Sequence, residues 1–141
     1  MASHLGVRPS DHVVLEWVRT NEPTGAWQRI LPDATAQFPF EIPKGRYLII
    51  TDLDWRFQSA DQLTPQCVTF RLYLAPLNQS SNPLQVHEST TQLDFLGCGG
   101  SSEAMTTGFV VDENAKVIWD SWPINRFVTH ILLRGYLIDR S

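Results

Sequence analysis

The sequence predicts an all-β protein, an antiparallel β-sandwich. The chain has 141 residues, of which 43% are hydrophobic and 18% charged, a balance typical of a globular domain with a modestly polar surface. Its eight glycines and nine prolines fall mostly between short apolar stretches, at spacings that suit strands and turns. Several of those stretches alternate apolar and polar residues, which indicates half-buried strands.

The clearest pair of strands is expected in FPFEIPKGRYLIITDLDW, residues 38 to 55. Phe38, Phe40 and Ile42 alternate as one strand, and the turn at 43–45 leads into a second. Strict alternation in the second strand puts Tyr47, Ile49, Thr51, Leu53 and Trp55 on one face, and Leu48, Ile50, Asp52 and Asp54 on the other.

The later strands follow the same logic. CVTFRLYLA, residues 67–75, alternates with Val68, Phe70, Leu72 and Leu74 on its apolar side. Further strands are expected at 84–89, 105–111, 116–120 and 127–138, and Gly135 predicts a bulge or a close approach in the last. The glycine-rich LGCGGSSEA, residues 96–104, is expected to be irregular. Six or seven strands at this spacing predict a sandwich.

The N-terminal segment, residues 1–37, is the ambiguous part. HVVLEWVR, residues 12–19, alternates as a strand, yet its apolar residues also form a helical stripe behind a possible Ser10 cap. Its β-branched content favours the strand. With no repeat, low-complexity tract or long linker, the simplest organisation is one domain over residues 1–141.

Charge and hydropathy exclude several classes of partner. The net charge is −4 and the basic residues are scattered, so nucleic acid is not expected. No run approaches the roughly 20 apolar residues of a membrane span, and the first ten residues show no secretory signal. Cys67 and Cys98 would pair if their Cα atoms lay within about 7 Å, but two cysteines in such a chain are more often free thiols.

Two aspartates in TDLDW form the first candidate site. Asp52 and Asp54 lie on one strand face with Cα atoms about 6.5 Å apart, so they could share a calcium ion or act as an acid and base pair. A third calcium ligand would have to come from Asp61, Asp94 or Glu88. The favoured interpretation is that they face solvent at the end of the strand, or that Arg56 or Arg71 neutralises one of them.

No cofactor and no metal site are expected from the remaining motifs. The four histidines have no metal-ligand spacing, and the chain lacks the HxH pair of a cupin oxygenase. Cys98 has no cysteine-protease signature around it, and GGSSE does not match the GxSxG elbow of a serine hydrolase.

The five tryptophans are the second candidate. Trp17 and Trp55 are expected in or near the core, whereas Trp27, Trp119 and Trp122 lie near turns or strand ends. There an indole can stack on a sugar or fill a pocket of a partner protein. WDSWP would present Trp119 and Trp122 around Asp120. The alternative, which the pattern slightly favours, is that these two indoles cap the open end of the sandwich.

The order of IPKGRYL, TTGFVV and LLRGYLI along residues 38–138 resembles the jelly-roll sandwiches of the tumour necrosis factor and C1q type. The blocks TDLDW, EAMTTGFVV and LRGYL are also similar to those of a group of uncharacterised bacterial β-sandwich proteins. The first resemblance implies a jelly roll that assembles as a homotrimer and binds through its surface. The second implies only a fold.

The sequence therefore predicts a non-catalytic binding or assembly domain. Its ligand would be a glycan or a protein surface, met by Trp119, Asp120 and Trp122, with Asp54 adding a polar contact. One alternative is a small hydrolase that uses Asp52 and Asp54, with or without calcium. A second alternative is a structural subunit of a larger assembly.

Overall fold

A computed structural model describes residues 8–20, 26–59, 66–77, 82–123 and 127–140. Apart from a short 3-10 helix at Pro9–Asp11, these residues form strands and their connections. The strands are β1 (His12–Trp17), β2 (Trp27–Ile30), β3 (Ala36–Gln37), β4 (Arg46–Gln58), β5 (Cys67–Pro76), β6 (Leu84–Gln92), β7 (Cys98–Val111), β8 (Ala115–Trp122) and β9 (Val128–Asp139). Nothing helical in these ranges is long and apolar enough to cross a membrane.

The strands form two antiparallel sheets, which confirms the all-β prediction. A six-stranded sheet has the order β3-β2-β1-β9-β4-β7, and a three-stranded sheet has the order β6-β5-β8. Their inner faces pack against each other around one apolar core. The jelly-roll connectivity stays a prediction.

A row of aromatic rings joins the two sheets at the centre of the core. Trp55 of β4 stacks on Phe70 of β5 with ring centroids 5.1 Å apart, and Phe70 stacks on Trp119 of β8 at 5.7 Å. Trp17 of β1 meets Trp119 edge-on at 5.0 Å. Offset and edge-to-face contacts are the favoured aromatic geometries, so this row adds to the hydrophobic stabilisation of both sheets. The core position predicted for Trp55 is confirmed.

The two-face pattern predicted for β4 is wrong because the strand contains a bulge. Ile50 pairs with Gly135 of β9, but Asp52 pairs with the preceding residue, Arg134, so Thr51 is an extra residue. An extra residue reverses the alternation beyond it. Leu48 and Ile50 before the bulge therefore face the core together with Leu53, Trp55 and Phe57 after it.

Two glycines on the neighbouring strands make room for this bulge. A Cβ on Gly135 of β9 would lie 1.8 Å from the carbonyl oxygen of Ile49, and a Cβ on Gly108 of β7 would lie 2.4 Å from that of Ile50. Gly108 also has a φ of +70°, which favours glycine. The close approach predicted at Gly135 is confirmed.

Three other expectations for the chain have mixed outcomes. The N-terminal strand is confirmed, since β1 lies between β2 and β9. The irregular loop expected at 96–104 is wrong from Cys98 onward, because β7 begins there and pairs with β4. Gly99 suits a crowded site, where a Cβ would lie 2.8 Å from the Thr91 side chain. The strand expected at 38–42 is also wrong, since β3 ends at Gln37.

Candidate binding face

The three-stranded sheet turns one side away from the core. The inner side chains of β5 and β8 include Val68, Phe70, Leu72, Val117 and Trp119, all of them buried. The alternate residues, and their cross-strand neighbours on β6, point outward. We call this surface the outer face, and it consists of Thr69, Arg71 and Tyr73 on β5, Ile118, Asp120 and Trp122 on β8, and Gln85, Glu88 and Thr90 on β6.

Trp122 is the most exposed aromatic residue of the outer face. It ends β8 opposite Thr69 of β5, and 63% of its surface is accessible. Thr69 in turn pairs with Thr90 of β6, and their hydroxyl oxygens are 3.0 Å apart. One row across the sheet therefore places an open indole beside two hydroxyl groups.

The next row across the outer face is charged. Asp120 accepts a hydrogen bond of 3.1 Å from Nε of Arg71 and one of 3.0 Å from the hydroxyl of Tyr73. Burial raises the pKa of Tyr73, and the bond to Asp120 raises it further, so the phenol stays protonated and donates. Both members of the Arg71–Asp120 pair remain partly exposed, at 27% and 38% of their side-chain surfaces.

Of the four predicted ligand-binding residues, the structure places only Asp120 and Trp122 on this face. Trp119 points the other way, is 4% exposed and belongs to the aromatic row in the core. The reason is the strand geometry: residues 120 and 122 share a face, whereas residue 119 takes the opposite one. The prediction that WDSWP presents Trp119 and Trp122 together around Asp120 is therefore wrong for Trp119.

No protein-family model matches the chain, and a search of curated proteins finds no match.

Asp54, the fourth predicted residue, lies on the other sheet. It points outward from β4, between the inward side chains of Leu53 and Trp55. Its carboxylate forms a 2.8 Å ion pair with Arg56 and accepts a 3.1 Å hydrogen bond from Ser102. The ion-pair interpretation is therefore confirmed for Arg56, while Arg71 is bound to Asp120 instead.

The calcium alternative needs a third ligand near Asp52 and Asp54. Within the part of the chain that the structure describes, no three His, Cys, Asp or Glu residues are grouped to hold a metal ion. Glu88 belongs to the outer face of the other sheet, and Asp94 uses its Oδ1 to accept hydrogen bonds from two backbone N–H groups of its own turn. Asp61 lies outside the described residues.

One polar cluster lies between the sheets, and the sequence did not predict it. Glu103 of β7 contacts Nε2 of His87 at 2.8 Å and accepts a hydrogen bond from the hydroxyl of Ser89, both on β6. Ser89 accepts a 2.8 Å bond from the buried indole N–H of Trp55. Burial would raise the pKa of Glu103, but hydrogen bonds from Ser89, His87 and Ser101 outweigh burial and lower it.

This cluster joins β6, β7 and β4 rather than forming a nucleophile relay. A serine nucleophile needs its hydroxyl on the imidazole base, whereas the hydroxyl of Ser89 is directed to the carboxylate of Glu103. Ser89 is also only 4% exposed. The sequence could have flagged His87 and Ser89, which alternate toward the core, but not their partner on another sheet.

The two cysteines are free thiols, as the sequence favoured. Cys67 is exposed at the start of β5, and Cys98 is partly buried at the start of β7.

Proposed function

We propose that the protein binds carbohydrate through the outer face of its three-stranded sheet. The observation that carries this proposal is the exposed indole of Trp122 next to the hydrogen-bonded cluster of Asp120, Arg71 and Tyr73 on the same surface. A sugar ring has an apolar C–H side and a rim of hydroxyl groups. It therefore needs both a flat aromatic surface and nearby donors and acceptors.

The polar cluster has bonding capacity left for sugar hydroxyls. A carboxylate has about four lone-pair sites, and Asp120 accepts two hydrogen bonds within the cluster. A guanidinium has five N–H donors, and one N–H of Arg71 goes to Asp120. Because these groups are already oriented by one another, a ligand would not have to immobilise them, which lowers the entropic cost of binding.

The size of the face favours a short oligosaccharide over a single sugar. Tyr73 of β5 pairs with Ile118 of β8, and Trp122 lies four residues further along β8. Four residues of strand correspond to roughly 13 Å. Aromatic and polar contacts spread over that length match a linear ligand lying along the strand.

The proposal is tested with a glycan array, followed by calorimetric titration of the best glycan against matched variants. Trp122→Ala removes the stacking surface, and we expect affinity to fall at least about tenfold, as for a central aromatic contact. Asp120→Asn should weaken binding less, since the side-chain amide keeps one acceptor oxygen. Phe95→Ala, which removes another aromatic side chain at 79% exposure, is the control.

Three outcomes contradict the proposal: no glycan bound by the wild-type protein, unchanged affinity in Trp122→Ala, or an equal loss in Phe95→Ala. A protein ligand at the same face would instead leave the array empty while Trp122→Ala abolished a pull-down.

Assembly as a homotrimer, which rests on the resemblance to tumour necrosis factor and C1q sandwiches, stays a separate prediction. Light scattering over a wide concentration range tests it, and a monomer throughout would contradict it.

A further inference from the structure

We propose a second binding site, for a small uncharged apolar compound, in a cavity at one end of the sandwich. The cavity has a volume of about 230 Å³ and opens where β2, the start of β4 and the β7–β8 hairpin come together. We call it the end cavity. It is separate from the proposed carbohydrate site, because it lies between the sheets and the outer face lies on the far side of β5 and β8.

The interior of the end cavity is made of core side chains from both sheets. Leu15, Leu48 and Val111 line it from the six-stranded sheet, and Val117 lines it from the three-stranded sheet. Each of these four is less than 5% exposed. Protein cores are normally packed without such a space. An apolar compound that fills the end cavity would gain the transfer free energy that core side chains gain on burial.

Hydrogen bonds fix the positions of the wall segments relative to one another. The indole N–H of Trp27, which lines the cavity, donates a 2.9 Å bond to the carbonyl of Val117 and so fixes the ring across the gap between the sheets. The backbone N–H of Phe40 donates a 2.9 Å bond to the carbonyl of Trp27 and holds the next wall segment in place. The cavity is therefore formed before any compound arrives, which is usual for small-molecule sites.

The mouth favours a neutral compound. Glu113, at the mouth, accepts bonds from Arg140 at 2.7 Å and from the N–H of Gly45 at 3.1 Å, so its charge is compensated. Glu41 and Lys116 also line the mouth and carry opposite charges. With the partner of Glu113, Arg140, included, the charges around the mouth balance, so they do not select an ion, and the apolar interior would penalise one.

The volume sets the size of the compound. An apolar cavity of about 150 Å³ holds one benzene molecule, and typical drug-sized pockets begin near roughly 300 Å³. At about 230 Å³, the end cavity fits a substituted single ring, a small bicyclic aromatic or a short branched hydrocarbon.

The test is a titration of the ¹⁵N-labelled protein with indole and with toluene, followed by two-dimensional amide NMR. We expect saturable shifts at amides of the 111–117 segment and around Leu48. Ala115→Phe puts a ring into the cavity from its wall, and we expect the apparent Kd for indole to rise at least tenfold. Leu77→Trp, at the exposed mouth, is a second blocking variant that leaves the core untouched.

Benzyltrimethylammonium serves as the charged comparison and should bind at least tenfold more weakly than toluene. The inference is overturned if neither neutral compound causes saturable shifts, if the shifts map away from the end cavity, or if a folded blocking variant binds like wild type. Retention of glycan binding by Ala115→Phe would show that the end cavity and the outer face bind their ligands independently.

Discussion

Gly135→Ala tests the description of the β4 bulge most directly. Gly135 sits in β9, paired with Val13 of β1 on one side and with Ile50 of β4 on the other. A Cβ there would lie 1.8 Å from the carbonyl oxygen of Ile49, whereas real Cβ contacts stay beyond about 3.0 Å. The two backbones would therefore have to separate by about 1.2 Å, in a strand that is paired on both edges.

The cost of that separation can be built up from its parts. Overpacking of a core position typically costs about 1–3 kcal/mol. Stretching the ladder between β9 and β4 weakens at least one buried backbone hydrogen bond, at about 1–3 kcal/mol when a group is left unsatisfied. From the two parts together, we expect Gly135→Ala to lower the free energy of unfolding by about 2–6 kcal/mol, a large part of the roughly 5–15 kcal/mol typical of a domain.

Gly45→Ala is the matched control for this variant. Gly45 has a φ of +81°, and no atom lies within 4 Å of the position that a Cβ would occupy, so alanine there meets strain in the backbone but no clash. We expect it to cost about 1–2 kcal/mol. Urea unfolding followed by tryptophan fluorescence measures both variants, with unchanged m-values as the check that the denatured states match. A Gly135→Ala variant within about 1 kcal/mol of wild type would refute the close approach at the bulge.

Two further predictions concern buried polar groups. Burial would raise the pKa of Asp11, but bonds from the Arg8 backbone and from Arg46 lower it from 3.8 to about 2. The ionised Asp11 therefore stabilises the fold above about pH 4 and loses that effect as pH falls toward 2, and Asp11→Asn should flatten this part of a stability–pH profile measured by urea unfolding. Ser89→Ala should cost about 1–3 kcal/mol in the same assay, because it leaves the buried indole N–H of Trp55 without its acceptor. Thr90→Ala, one residue away and exposed, should cost no more than about 0.5 kcal/mol, and equal losses in the two variants would contradict this reasoning.

Local pattern predicted most of the strands, although not the start of β7, and it could not predict how neighbouring strands meet. Alternation in β5 correctly separated Phe70 and Leu72 from Arg71 and Tyr73, because a period of two offers only two faces. The bulge at Thr51 reversed the faces of β4, since an inserted residue is decided by space on the neighbouring strands and leaves no local mark.

The candidate site divides in the same way. Asp120 and Trp122 could be found from their residue types, yet their alternation along β8 already implied that Trp119 would face inward. The partners of Asp120 could not be found, because the pairing of β5 with β8 joins residues 49 positions apart in the chain. The same holds for Glu103, whose bonds to β6 depend on the stacking of one sheet edge over another.

The positions of the tryptophans allow intrinsic fluorescence to report on binding at the outer face. Trp27, Trp55 and Trp119 are buried, while Trp122 is open to solvent on the outer face. An aqueous quencher such as iodide will reach Trp122 far more readily than those three. Protection of the quenchable fraction of the emission would then report occupancy of the outer face without any label, and the emission of the shielded indoles would report, in the same sample, whether the fold is intact.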